Sequence, residues 1–184
     1  KLNATFDSLA LADTVSLLGE RLQFVLGVRH QRIRQVRHDA EGELDTVYDR
    51  KALTPTIAAI GKLSPRWSVY GNVIQGLSQG DTAPTADEYP DLVNPGAMLA
   101  PYKTRQKELG LKFDGGRVGA TLSAFRIEKP SATVGADNVF AINGRQRNDG
   151  WEFAVFGEPR RGIRLAGGLT LLDARLRQTA TGED

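Results

Sequence analysis

Three groups of residues have the types and spacing to do chemistry. Gly76-Leu77-Ser78-Gln79-Gly80 matches G-x-S-x-G, the tight turn that exposes a nucleophilic serine in α/β-hydrolases. That turn needs a strand before it, a helix after it and a histidine downstream. The two histidines, His30 and His38, both precede Ser78, and Asp81-Thr82-Ala83-Pro84 does not begin a helix. The segment therefore reads as a strand running up into a surface loop. His30 and His38 sit among Arg29, Arg32, Arg34 and Arg37 without further metal ligands at suitable spacing, and read as solvated residues near a strand end. Asp81, Asp87, Glu88 and Asp91 form an acidic loop with the donor type for Ca²⁺ but without the EF-hand pattern. There is no paired carboxylate with a supporting base, no phosphate loop and no dinucleotide fingerprint. Nothing in these residues argues for an enzyme, and none is expected.

The elements that would carry such residues are legible in the alternation of the chain. Its 184 residues suffice for a core, but 24 Lys and Arg against 22 Asp and Glu leave a formal charge of only +2, which gives no electrostatic case for nucleic acid. Without cysteine there is no disulfide framework. No apolar run approaches the roughly 18 residues of a spanning helix. The start, Lys1-Leu2-Asn3-Ala4, lacks an initiator Met and a basic-then-apolar signal, so a processed chain or a piece of a larger one is expected.

Apolar residues are dealt out one at a time, with period two. Leu22, Phe24, Leu26 and Val28 share one face, Trp67, Val69 and Val73 another, then Leu109, Leu111 and Phe113, then Val118, Ala120 and Leu122, then Trp151, Phe153 and Val155, then Leu165, Leu169 and Leu171. The pattern predicts about eight strands, near 4–14, 21–36, 50–63, 66–79, 103–113, 117–128, 139–157 and 161–176. Helical readings survive weakly at Ser8 to Leu18 and Tyr102 to Leu111. Short turns fall at Leu18-Gly19-Glu20, Ser64-Pro65-Arg66, Asp114-Gly115-Gly116 and Glu158 to Gly162. Long polar connections occupy 37–49, 80–102 and 129–138. Short and long connections alternate throughout, the layout of an up-and-down outer-membrane barrel. All prolines but Pro55 fall in the predicted connections.

The faces favour membrane over water. One face is nearly free of charge through mid-strand, as lipid demands. The other is small and mixed, with Glu108, Lys112, Glu152 and Arg164, as a wet lumen permits. Trp67 and Trp151 are expected near strand ends as an aromatic girdle, with ordinary core packing as the alternative. Gly27, Gly61, Gly71, Gly76, Gly110, Gly119, Gly167 and Gly168 lie inside strands, where curvature, close backbone approach or bulges would explain them.

Specific segments carry a resemblance. Leu53-Thr54-Pro55 through Ser64-Pro65-Arg66-Trp67-Ser68-Val69-Tyr70-Gly71-Asn72, continued by Gly76 to Gly80, resembles a hairpin of the TonB-dependent ferric-siderophore receptors. Leu99-Ala100-Pro101 followed by Gln106, Glu108 and Gly110 is similar to that family's L-x-P-x-x-x-x-Q-x-E-x-G. Ala124 to Lys129 and Gly144 to Phe153 resemble two further motifs in the correct order, with Asn148-Asp149 departing from the usual Arg-Ser.

The resemblance implies an all-β, antiparallel up-and-down segment of a large transmembrane β-barrel in the bacterial outer membrane, spanning 1–184. The plug domain with its TonB box, and the C-terminal strands, would lie outside it. About eight of roughly 22 strands are expected, with two unpaired edges. Implied partners are a ferric siderophore, TonB through the plug region, and outer-membrane lipid. No cofactor is implied, since iron would arrive as chelated cargo. Candidate ligand contacts are Tyr48, Gln75, Gln79, Tyr89, Tyr102 and Arg105. The rivals are a soluble all-β ligand-binding module and the same barrel with another cargo: cobalamin, haem or a sugar.

Overall fold

The computed structural model describes residues 2–38 and 42–177. They form eight strands: β1 (Leu2–Leu17), β2 (Leu22–His38), β3 (Leu44–Lys62), β4 (Trp67–Ser78), β5 (Tyr102–Asp114), β6 (Val118–Val134), β7 (Phe140–Arg160) and β8 (Ile163–Arg177). Each pairs antiparallel with its sequence neighbours in one sheet ordered β1 to β8. Both segments weighed as helices, 8–18 and 102–111, are extended: alternation over nine or more residues outweighs modest helix propensity.

The strands outrun their predicted ends, most of all β3 and β6, which each gain six residues at the end bearing the long connections. Two connections expected to be long, 37–49 and 129–138, therefore contract. Apolar alternation marks only the roughly 9–11 residues a tilted strand needs to cross a bilayer, whereas ladder hydrogen bonding continues into polar sequence. Two prolines expected in connections consequently lie in strands. Pro130 is in β6, beyond its last β5 pair, Arg105↔Glu128. Pro159 is in β7 within the irregularity between Gly157 and Arg160. In both places a missing N–H costs no ladder bond.

The apolar face is exposed: Leu11 by 76%, Leu109 by 62%, Leu169 by 61%. The few fully buried residues, such as Tyr48, Thr54 and Tyr102, belong to the polar face and the long-loop end. This inversion separates the sheet from a soluble sandwich, whose apolar faces are covered. On the apolar face the ladder rows cross the apolar band obliquely. One registered row runs Leu26, Ile57, Val73, Lys107, Arg126, Asp149, changing from apolar to charged as it crosses the sheet. On β3 the band climbs past Ile57 through Pro55 and Leu53 to the first charge at Lys51, six residues above that row. That shift, about 20 Å along the strand, falls between β3 and β5, since Lys107, Arg126 and Asp149 are charged in one row. A level band then requires strands tilted to the membrane normal, as in a transmembrane barrel.

Trp67 stands at the first residue of β4, its ring 4.9 Å from that of its cross-strand partner Phe113, as a girdle residue should. Trp151 lies mid-strand in β7 rather than near an end; it nonetheless marks the top of the apolar band, one outward position below Asp149. Two of the interior glycines on the polar face have a specific cause. A Cβ on Gly110 would sit 2.5 Å from the ring of Tyr70, its register partner, and one on Gly150 2.4 Å from the ring of Phe125. Each aromatic folds flat over the glycine across the strand, covering backbone that glycine would otherwise expose.

Candidate functional site

Above Thr56↔Ile74 the β3–β4 ladder stops, although β3 continues with β2 up to Leu44 and β4 continues with β5 up to Ser78. Pro55 is the first residue past that last pair and has no N–H to offer β4. On the other side, β5 and β6 part above Arg105↔Glu128, with Pro130 two residues further on. The β4–β5 hairpin thus rises between its neighbours without backbone pairing to either, carrying residues 79–101 at its tip.

That tip is built, not slack. Ala83 N donates to Ala97 O at 2.8 Å, Leu99 N to Asp81 O at 3.0 Å and Gly96 N to Pro84 O at 3.0 Å, so its two arms continue the hairpin irregularly. They approach so closely at Gly80 that a Cβ there would lie 2.3 Å from the carbonyl oxygen of Ala100. Ala83 and Leu92 pack on Phe140 at the start of β7. The Asn94 carboxamide donates to the Phe140 carbonyl and accepts from its amide, both at 2.9 Å. Thr85 closes a turn in which its N–H and hydroxyl both donate to Glu88, and these bonds hold the Glu88 carboxyl below the usual range.

Where the hairpin meets β2 and β3, a polar cluster forms. Gln35 and Gln79 exchange reciprocal amide hydrogen bonds of 2.6 and 2.8 Å. Tyr48 faces Gln35 across the β2–β3 ladder, and both are buried. The Tyr102 hydroxyl donates to Asp81 at 3.1 Å. Arg50 lies 5.5 Å from the Tyr48 ring centroid and the Lys129 ammonium 5.4 Å from that of Tyr102. Burial pushes both phenols above their ordinary pKa, so they stay neutral donors at physiological pH. Deeper on the same face, the Tyr70 hydroxyl donates to Glu108, Lys112 lies 4.7 Å from the Tyr70 ring, and Ser123 and Glu152 line the same cavity of about 280 Å³.

Of the predicted contacts, Tyr48, Gln79 and Tyr102 converge in this cluster. Tyr89 is half-exposed on the tip, in the turn closed by Thr85. Gln75 and Arg105 are register partners on the opposite, outward face. They line a different cavity, with Lys103 and Arg145, so the six residues do not make one site. Sequence reasoning missed Gln35 and Lys129. The position of Gln35 on the polar parity of β2 was readable, but its meeting with Tyr48 depends on how far β2 and β3 pair past the predicted loop. Ser78 ends β4 with no helix behind it, and His30 falls on the outward face of β2. The described residues hold no group of three or more His, Asp or Glu able to bind a metal ion.

An antiparallel meander with an exposed apolar band, tilted strands, a glycine-studded polar face and elaborated tips at one end defines the wall of a transmembrane β-barrel. Residues 3–184 match the model of the TonB dependent receptor-like β-barrel family, and the chain belongs to that family. It is therefore outer-membrane β-barrel wall. It is 36% identical over 178 residues to the ferrichrome receptor FcuA of Yersinia enterocolitica, covering 94% of this chain and 23% of that protein. It is 38% identical to BauA, the ferric preacinetobactin receptor of Acinetobacter baumannii, with a TM-score of 0.78 over 98% of this chain and 26% of that one. The ferripyoverdine receptor of Pseudomonas aeruginosa shares the fold at 18% identity, with a TM-score of 0.72. The chain thus spans about a quarter of the length of these relatives.

Proposed function

We propose that the whole protein is an outer-membrane receptor and transporter for ferric siderophores, energised through TonB, and that this chain supplies barrel wall and one elaborated extracellular loop. The observation that carries the reading is identity above one third, across nearly the whole chain, to two receptors named for ferric chelates. The geometry supports it: the polar face would line the lumen, the apolar band would meet lipid, and the tip over the Tyr48–Tyr102 cluster would stand at the mouth. Neutral phenols with cations near their rings suit a bulky, net anionic chelate that brings its iron already bound. The wall would then need no metal ligands and no cofactor of its own. The plug and its TonB contact would lie in the parts of the receptor outside these 184 residues.

The test is uptake of radiolabelled iron by cells lacking their other siderophore receptors and expressing the full-length protein, over a panel of hydroxamate, catecholate and mixed chelates. TonB-dependent uptake of at least one ferric chelate is expected. Binding of cobalamin, haem or a sugar with no response to any ferric chelate would refute the cargo assignment.

A further inference from the structure

Among the described residues, the outward face of β2 to β8 carries no charge within the apolar band. Charges lie beyond its ends, as at Leu53 to Lys51 on β3 and Ala124 to Arg126 on β6. β1 breaks this rule. Its outward positions read Leu17, Val15, Asp13, Leu11 and Leu9, before the first charge above the band at Asp7. Asp13 therefore sits mid-band, with two apolar side chains below it and two above. It is registered with Leu26, Ile57 and Val73, the apolar part of the row that turns charged at Lys107. On the β2 side nothing answers the carboxylate. Leu26 faces it across the ladder and Phe24 and Val28 hold the diagonal positions, the reach within which cross-strand side chains interact. Its hydrogen bond is to the amide of Thr14, next in sequence, at 2.8 Å, and it enters no ion pair among the described residues.

A charge at that depth of a lipid-facing surface is costly, and its presence points to a partner. β1 is the terminal strand of the described sheet, so one of its edges has no ladder here. Hydrocarbon does not tolerate an open edge, and the chain spans about a quarter of its relatives' length. In the whole receptor a further strand of wall must lie along β1, and the up-and-down order makes it the strand preceding β1 in sequence. We propose that Asp13 is one half of an ion pair across this seam, its partner a lysine or arginine at an outward position of that preceding strand. Reach selects the occupant. Side chains directly opposite or diagonal on an adjoining strand lie about 5–8 Å apart at Cβ, close enough for a long cationic side chain to meet a short carboxylate. A cation from a second membrane protein could reach Asp13 only by also displacing lipid from the exposed Leu9 and Leu11, and nothing in a closed wall requires that. The pair would neutralise both charges inside the band and join this part of the wall to the part before it. The inference uses the lipid-facing orientation of the wall and is independent of the cargo.

The sign of one substitution decides. The full-length receptor is unfolded by urea in lipid vesicles as wild type, as Asp13→Leu, and as Asp13→Leu with a second leucine substitution at the basic position of the preceding strand. A lone carboxyl facing lipid, charged or protonated, is relieved by leucine, and the unfolding midpoint would rise. A paired carboxylate leaves an unmatched cation when it is removed. Asp13→Leu should then lower the folded-to-unfolded ratio by about tenfold or more, and the second leucine should recover most of that loss, since replacing both members of a pair by apolar residues is close to neutral. Asp13→Asn, which keeps the shape and removes the charge, should fall between wild type and Asp13→Leu. Iron uptake by the wild type reports separately on the cargo. The proposal is overturned if the preceding strand has no lysine or arginine at an outward position within reach, if Asp13→Leu leaves the midpoint unchanged or raises it, or if the second leucine gives no recovery.

Discussion

The Tyr70–Gly110 pair gives the sharpest quantitative expectation for the wall. Gly110 has ordinary extended backbone, so alanine there should stabilise by about 0.4–1 kcal/mol through the unfolded chain alone. The structure reverses the sign. A Cβ at that position lies 2.5–2.7 Å from two ring carbons of Tyr70 and its hydroxyl oxygen, and the ring cannot shift without releasing the bond from its hydroxyl to Glu108. Overpacking costs about 1–3 kcal/mol, and a hydrogen bond to a charged group is worth about 1.5–3 kcal/mol. After the entropic gain, Gly110→Ala should destabilise by about 2–4 kcal/mol. In a Tyr70→Ala background the space is open, so the same substitution should be neutral or mildly stabilising, giving a coupling energy of about 3 kcal/mol. The assay is urea unfolding of the full-length receptor in detergent micelles, for wild type, both single variants and the double variant. An equal cost of Gly110→Ala in both backgrounds would refute the steric argument and return Gly110 to a generic role in strand curvature.

Three further outcomes are expected. Leu122→Arg places a charge in the apolar band and should cost about 2–4 kcal/mol in reconstituted membranes, whereas Thr121→Arg, one residue away on the polar face, should cost less than about 1 kcal/mol; similar losses by equilibrium unfolding in bilayers would disprove the face assignment. Asn94→Ala removes both bonds to the Phe140 backbone and should cost the tip about 1–3 kcal/mol, seen as faster amide exchange in 85–97 with no change in β4 or β5. The Tyr48 and Tyr102 phenols have pKa values raised in the folded state. Their contribution is therefore complete below the unfolded value near 10 and is lost as pH rises above it. Proteolysis of 80–101 should accelerate on alkalinisation, and Tyr102→Phe should blunt that rise while costing only about 1 kcal/mol at neutral pH, because the exposed Asp81 regains water.

What the sequence made legible follows from which solvent each residue meets. Leu22 to Val28, Trp67 to Val73 and Trp151 to Val155 alternate because one face must be apolar for lipid, and that constraint writes directly into residue type. Beyond Leu53 on β3 and Ala124 on β6 the outward face turns charged, at Lys51 and Arg126, so the lipid signal ends while the strands run on. Pro130 reads as a loop residue from sequence for a related reason: its tolerance depends on whether β5 still runs alongside, which is a matter of register. Tyr48 and Tyr102 are candidates by type and by their proximity to long loops. Gln75 and Arg105 follow from the same reasoning and lie on the outward face, as parity counted from Trp67 and Phe113 requires. The parity is available in the sequence; the pairing of Gln35 with Tyr48, two residues outside the expected start of β3, is not.

The two prolines also bear on how the receptor could work. A barrel wall is held by ladder bonds on both sides of every strand, and a tip rooted in such a wall moves only as the wall moves. Here the β4–β5 hairpin loses its ladder to β3 past Pro55 and to β6 near Pro130, so residues 75–104 stand as a two-stranded ribbon, marginal by itself in water. Its position is then set by a few links: Gln79 to Gln35 on one flank, and on the other Asn94 to the Phe140 backbone, the packing of Ala83 and Leu92 on Phe140, and one backbone bond from Val93 N to Asn138 O at 2.9 Å. Each hydrogen bond among them is a neutral amide contact worth about 1 kcal/mol net, small enough to be exchanged for other contacts. Rigidity in the membrane and adjustability at the mouth thus coexist in the same two strands, and the change occurs where proline removes a backbone donor. Ladder bonds fix the wall, while a small number of exchangeable bonds leave the tip free to adjust its position.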